Sequence, residues 1–231
     1  MKDIEEMRAG YFDYIEKQRK GYEMTAAMIG YIVQKMKEAS LIEGEVEISG
    51  RIKSFKSAYE NTGKKAVDDC FGLRIIGKDE DLIKIEQELR KILVVDATKD
   101  HRKKSNTQYN GVHKMVHMDS KYAEKNGVSS VIFPEIEIQY WDEEMKEKCI
   151  LGELSYANYK KRDLLAILDG LDNDPDSVYK NLPACYEIKG NNIRRLSSQE
   201  TLYKIYPEIQ ELEEMRKKVS VPPDTDDGMN R

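Results

Sequence analysis

The residues whose types and spacing suit chemistry begin in the stretch 67–76, VDDCFGLRII, where Asp69, Gly72 and Arg74 form an Asp-x-x-Gly-x-Arg arrangement. Leu73, Ile75 and Ile76 read as a short buried strand. Gly72 omits a Cβ where another backbone or a ligand comes close. Arg74 interrupts the apolar run, and a buried cation needs an anionic partner. A carboxylate and a guanidinium a strand's length apart suit a metal-bound polyphosphate, with Asp69 for Mg²⁺ and Arg74 for phosphate. The same stretch also reads as a helix-ending Asp followed by a core strand with an internal salt bridge.

The neighbouring elements must position these groups. Val46, Ile48 and Ile52 alternate with Glu47 and Arg51, so 45–53 reads as a strand ending in Arg51, Lys53 and Ser54. Between 51 and 65 five cations (Arg51, Lys53, Lys56, Lys64, Lys65) stand against one acid, Glu60, as an anion site or a basic surface turn. Residues 54–62 read as helix and Asn61-Thr62-Gly63 as loop. Asp79 to Ile92 reads as an amphipathic helix with Asp79 as its N-cap. Leu93 to Ala97 is a strand. A basic stretch with Lys99, Arg102, Lys103 and Lys104 follows, then Tyr109, then an alternating strand of Val112, Lys114, Val116 and Met118 that carries His113. Residues 120–130 read as loop. In the strand Val131 to Trp141, Glu135, Glu137 and Gln139 share one face and Ile136, Ile138 and Tyr140 the other.

The flanks read as helical. Residues 2–39 carry helical apolar spacing that Gly21 divides or kinks. The cluster Lys17, Arg19 and Lys20 reads as a solvated face. Helix continues from Trp141 to about Leu168, and Asp169 to Asp176 is a turn-rich acidic loop. Thr201 to Val219 is the last helix, broken or shifted at Pro207. Residues 221–231 read as a loose tail, and 1–220 as one α+β domain.

With 231 residues, 35% of them charged and 39% hydrophobic, the chain is long enough for a core and too apolar to be disordered. A net charge of −5 argues against indiscriminate nucleic-acid binding. No apolar run is long enough to cross a bilayer, and the charged start, Met1 to Glu6, is unlike a signal peptide. Cys70, Cys149 and Cys185, odd in number and far apart, suit a reducing cytoplasm. Three histidines without a Cys-x-x-Cys argue against structural zinc.

Arg51-x-Lys53-Ser54, Asp69-x-x-Gly72-x-Arg74, Tyr109-x-x-x-His113 and Glu137-x-Gln139, in that order across about 44–142, resemble the synthetase domain of the RelA/SpoT family. That family transfers pyrophosphate from ATP to the 3′-hydroxyl of GDP or GTP, making (p)ppGpp. The resemblance implies a nucleotidyltransferase-like fold, a mixed β-sheet of about five strands surrounded by helices. It implies Mg²⁺ on Asp69 and Glu137, with Glu137 drawing the proton from the 3′-hydroxyl. Arg51, Lys53, Ser54, Lys64 and Arg74 would contact ATP, with Arg102 and Lys104 over the phosphates. Tyr109 would stack on the acceptor base, with His113 and Gln139 beside it. Taken singly, Tyr109 also reads as a loop aromatic packed on the sheet edge, Glu137 as a solvated strand position and His113 as a polar strand start.

Gln108 stands where the family usually has Gly, and Leu154 and Ser155 stand where it has a Glu-His pair before Tyr159-Lys160. There is no His-Asp pair for the hydrolase domain of larger members. The expectation is a stand-alone synthetase. The alternatives are a toxin, paired with an antitoxin, that pyrophosphorylates the 3′ end of tRNA, and a degenerate nucleotide- or RNA-binding domain. Homo-oligomerisation is left open.

Overall fold

The computed structural model describes residues 4–62, 69–103, 109–150 and 163–219. The expectations on Lys64, Lys65, Lys104, Gln108, Leu154, Ser155, Tyr159, Lys160 and the tail fall outside these residues. Among them, a seven-stranded mixed sheet runs in the order β3-β4-β5-β2-β1-β6-β7. The strands are β1 (Glu47–Ile52), β2 (Phe71–Ile76), β3 (Leu93–Asp100), β4 (Val112–Met118), β5 (Ile136–Trp141), β6 (Ala184–Lys189) and β7 (Asn192–Arg195). Only β2 and β5 pair in parallel; every other neighbour is antiparallel.

Period-two patterning gives the sheet two unlike faces. Ile48 and Ile52, Phe71, Leu73 and Ile75, Val116 and Met118, and Ile136 and Ile138 are buried on one of them. They join Tyr22, Ala26, Ile29 and Val33 of α1 (Ile4–Glu38) and Leu82, Ile85 and Leu89 of α3 (Asp79–Leu89) in the main core. Lys114 lies in this buried layer and pairs with Glu86 of α3, so it meets the need for an opposite charge. The other face carries the polar partners of the alternation. A smaller core forms from Leu168 of α6 (Leu164–Asn173), Leu202 of α8 (Ser198–Ile205), and Tyr206 and Ile209 at the start of α9 (Pro207–Val219).

The structure corrects several boundaries. Helix α1 runs unbroken through Gly21. A Cβ there would sit 2.1 Å from the Ile132 carbonyl oxygen, so this glycine admits a crossing chain. Lys78 occupies the N-cap of α3 without a side-chain bond, and Asp79 lies inside the first turn, where its charge still favours the helix N-terminus. Residues 120–130 include α4 (Ser120–Lys125), capped by the Asp119 carboxylate, which accepts from the Tyr122 N–H at 2.8 Å. The Asp169–Asp176 stretch closes α6 and opens α7 (Pro175–Lys180), with Asp174 as N-cap. Short side chains that cap helices had been read there as turn formers. The sheet has the five anticipated strands and two more, β6 and β7. β7 has only four residues in which to show a period, and the pairing of β6 with β1 and of β7 with β6 supplies the stability instead.

Candidate active site

The four separated motifs line up across the polar face in two rows. Arg51 pairs in register with Gly72, and Gly72 with Glu137. Arg74 pairs with Gln139, and Gln139 with His113. Lys99 of β3 stands opposite His113 on the same side. Residues 51 to 139 thus converge through strand register alone.

Gly72 lies between Arg51 and Glu137. A Cβ there would make only ordinary contacts, 3.8 Å from the carbonyl oxygens of both neighbours. The fold therefore does not require glycine at this position, and its missing side chain leaves the sheet surface bare.

Asp69, two residues before β2, has a φ of 64°, a left-handed conformation that Asp tolerates better than most residues. Such strain costs on the order of 1–3 kcal/mol and persists when its surroundings over-determine it. Here the Lys53 N–H donates to the carbonyl of Cys70, and Lys53 Nζ lies 2.6 Å from an Asp69 carboxylate oxygen. The Tyr11 hydroxyl donates to the Lys53 carbonyl at 2.5 Å, fixing that strand end from α1. Ser54 is buried, and its Oγ accepts from the Ser57 N–H at 3.3 Å, capping α2 (Phe55–Thr62).

Arg74 does not make the internal salt bridge of the alternative reading. Its Nε and one terminal nitrogen donate to Gln139 Oε1 at 3.3 and 3.0 Å, and its guanidinium lies 3.5 Å from the centre of the Trp141 ring. Among the described residues no carboxylate pairs with it. A delocalised guanidinium tolerates an aromatic face and a neutral acceptor where an ammonium would not. Burial, then the Arg51 guanidinium, lower its pKa to about 10, so it remains a cation at neutral pH. It stands without a counter-charge on a face also bearing Arg51.

Glu137 anchors a chain of side-chain hydrogen bonds. Trp141 Nε1 donates to the Tyr109 hydroxyl at 2.7 Å, which lies 2.5 Å from His113 Nε2; His113 Nδ1 lies 3.0 Å from Glu137 Oε1. Gln139 Nε2 donates to Glu137 Oε2 at 2.8 Å. The chain is consistent when His113 carries its proton on Nδ1 and accepts from the Tyr109 hydroxyl. Burial acts to raise the Glu137 pKa, but His113, Gln139 and Arg51 outweigh it and hold the carboxyl down at about 2. Burial pushes the Tyr109 hydroxyl well above its ordinary value, so it stays a neutral donor.

Tyr109 is packed: its ring meets His101, His113 and Trp141 edge-on at 5.2, 5.4 and 6.1 Å. It joins a cluster of Ile76, Trp141 and Met145, the last from α5 (Glu143–Ile150). Arg102, on a 3₁₀ turn at His101–Lys103, is engaged with Asp100 at 3.0 Å. Two residues of this site escaped the sequence reading. Trp141 was visible only as the end of a strand, and His101 lay in a stretch read for its charge. Its backbone N–H donates to the Gly111 carbonyl at 3.2 Å, which brings its ring over Tyr109 and His113.

Asp69 lies in the turn that leads into β2, and Glu137 on the neighbouring strand β5. A Mg²⁺ ion takes one or two carboxylates and completes its shell with phosphate and water, and these two carboxylates are the ones that would hold it here. Among the described residues, no group of three or more His, Cys, Asp or Glu side chains would hold a metal unaided. No described helix is long and apolar enough to cross a membrane.

No family model matches the chain, and no curated protein matches it. Solved structures similar to it include the small alarmone synthetase 1 from Bacillus subtilis bound to its product pppGpp, with 18% identity over 91% of this chain and 98% of that one, at a TM-score of 0.49. The same enzyme bound to AMPCPP gives 18% identity over 93% and 100%, at 0.44. A GTP pyrophosphokinase family protein from Streptococcus pneumoniae gives 14% identity over 91% and 94%, at 0.46.

Proposed function

We propose that this chain is a Mg²⁺-dependent pyrophosphotransferase that moves the β,γ-pyrophosphate of ATP to the 3′-hydroxyl of GDP or GTP. The observation that carries this reading is the cross-strand alignment of Arg51, Gly72 and Glu137 beside Arg74, Gln139 and His113. Four motifs that resemble one synthetase signature in sequence order occupy one surface, where an ordinary polar sheet face would carry no such order. In an acidic chain the motif residues bring together the cations Arg51, Lys53 and Arg74, with Lys99 beside His113, against the acids Asp69 and Glu137. A polyphosphate meets both needs.

The ATP phosphates lie over Gly72, where Arg51, Lys53 and Arg74 neutralise charge that spreads in the transition state. Asp69 and Glu137 would hold Mg²⁺, which would offset the phosphate charge. The acceptor O3′ attacks the β-phosphorus, the bond to the α-phosphate oxygen breaks, AMP leaves, and the hydroxyl proton passes to Glu137. A carboxylate held near pKa 2 is a weak base, so its contribution is position and charge more than basicity. Replacing Asp69 with Asn or Glu137 with Gln is expected to abolish transfer while preserving the fold. Arg74→Ala is expected to weaken ATP by roughly the 1.5–3 kcal/mol of a charged hydrogen bond and to spare the acceptor.

The deciding experiment incubates γ-labelled ATP and Mg²⁺ with GDP, GTP or deacylated tRNA. Label on the guanosine nucleotide supports the reading. Label on tRNA, with transfer falling steeply as salt rises, replaces it with the toxin activity. Label on neither acceptor leaves a binding domain without turnover. Of the α1 cluster Lys17, Arg19 and Lys20, the first two are already paired with Asp13 and Glu16, at 2.6 and 2.8 Å.

A further inference from the structure

Trp141 ends β5, and the chain around it is held from two sides. The Gly77 N–H donates to the Trp141 carbonyl at 3.1 Å. The next residue, Asp142, accepts from the Met145 N–H at 2.6 Å where α5 begins. The Trp141 side chain is 5% exposed and packs with Ile76 and Met145. A large ring in a close-packed cluster is a fixed wall, because shifting it would open a void or force its neighbours to move.

Two groups of the candidate site rest on different parts of that ring. The Arg74 guanidinium lies over the indole face, 3.5 Å from its centre. The indole N–H, at the ring edge, donates to the Tyr109 hydroxyl at 2.7 Å. A guanidinium has five N–H donors. Gln139 takes two from Arg74, so three are left for a ligand. A carboxylate would have used those donors and cancelled the charge, whereas an aromatic face holds a cation without neutralising it. Tyr109 is held between Trp141 Nε1 and His113 Nε2, its ring edge-on to the indole at 79°.

We propose that Trp141 is a positioning residue that holds Arg74 toward ATP with its ring face and Tyr109 toward the acceptor with its N–H, and so sets the two substrates against each other. The inference rests on the pyrophosphotransfer reading given above. In-line transfer needs donor and acceptor fixed relative to one another, and one rigid side chain under both groups meets that need. The face and the edge of the indole do separable work, which a merely space-filling ring would not.

Two substitutions divide the side chain. Trp141→Phe keeps an aromatic face and removes the N–H; it is expected to raise the KM of the acceptor severalfold and to leave that of ATP nearly unchanged. Trp141→Leu removes both, and is expected to raise the KM of ATP as well, by roughly tenfold, the scale of a desolvated cation–π contact. Trp141 is the only tryptophan in the chain, so its fluorescence reads the same contacts without turnover. In wild type, a non-hydrolysable ATP analogue and GDP are each expected to change its emission, with deacylated tRNA in place of GDP should the label go there. Arg74→Ala is expected to remove the response to the analogue alone, and Tyr109→Phe to blunt the response to the acceptor alone. Should Trp141→Leu fail to fold, Trp141→Phe and the wild-type titrations carry the test. Equal changes in both KM values from both substitutions, or emission that answers to only one substrate or to neither, overturn the positioning role. Label on no acceptor overturns the proposed reaction instead, and the titrations still decide whether the indole responds to both nucleotides.

Discussion

At the residue scale, Glu137 shows how environment decides what a carboxylate contributes. Its side chain is only 12% exposed, yet two side-chain donors and a nearby guanidinium hold its pKa at about 2. A pKa depressed on folding adds stability above the unfolded-state value, about 4.3, that disappears as pH falls through the folded value. The contribution is on the order of 3 kcal/mol, from roughly two units of depression. Acid denaturation checks this: wild type is expected to lose stability relative to Glu137→Gln between about pH 4.5 and pH 2. An unchanged difference across that window would mean that the carboxylate is not held this way. Tyr109 gives a second test. Stacking alone would let Tyr109→Phe pass almost unnoticed. The hydroxyl, however, joins Trp141 Nε1 and His113 Nε2, so the substitution strands two partly buried groups. A loss of about 1–3 kcal/mol in chemical denaturation is expected.

At the scale of elements, glycines separate what the fold needs from what a ligand needs. Gly21 of α1 has the Ile132 carbonyl oxygen where its Cβ would be, so Gly21→Ala is expected to destabilise the protein measurably. At Gly72 of β2 a Cβ would make only ordinary contacts. Alanine there removes chain entropy from the unfolded state and meets no clash, so thermal stability is expected to hold or rise by up to about 1 kcal/mol. Transfer is expected to fall, because the methyl group occupies the surface assigned to the ATP phosphates. Unchanged kinetics in Gly72→Ala would move the phosphates off this strand. The parallel pairing of β2 with β5 supports both expectations, since it sets Gly72 beside Glu137 and Arg74 beside Gln139 in one register. A slip of one residue in β2 would turn Gly72 and Arg74 to the buried face.

At the scale of the molecule, the sheet is closed by its most distant partner. β1 carries Arg51 and lies between β2 and β6, where Arg51 pairs with Gly72 on one side and Cys185 on the other. Ending the chain after Lys180 would remove β6 and β7, leave an unpaired edge on β1, and uncover Tyr22 and Ile48 beneath Tyr186 and Ile188. The truncated protein is expected to lack a cooperative thermal transition by calorimetry. If it melts cooperatively with unaltered nucleotide binding, the hairpin is an appendage and the candidate site is complete without it.

The sequence by itself determined whatever depends on a residue and its near neighbours. Period-two patterning in 45–53, 112–118 and 131–141 set Arg51, His113, Glu137 and Gln139 on the polar sides of their strands, although the last strand begins only at Ile136, and helical spacing set α1 and α3 against the core. Side-chain geometry is fixed locally, so it can be read locally. Other features waited on tertiary structure. Arg74 was read as a phosphate contact or else as part of an internal salt bridge; its protein neighbours are Gln139 and the Trp141 ring, which β2–β5 pairing between residues far apart in the chain sets beside it. The short β7 has too few residues to show a period and is held by its partner strand. The Trp141–Tyr109–His113–Glu137 chain joins a loop to two strands, and no local pattern encodes it. Order along the chain named the chemical groups. Strand register decided which of them meet, because register is chosen by the cooperative burial of the opposite, apolar face.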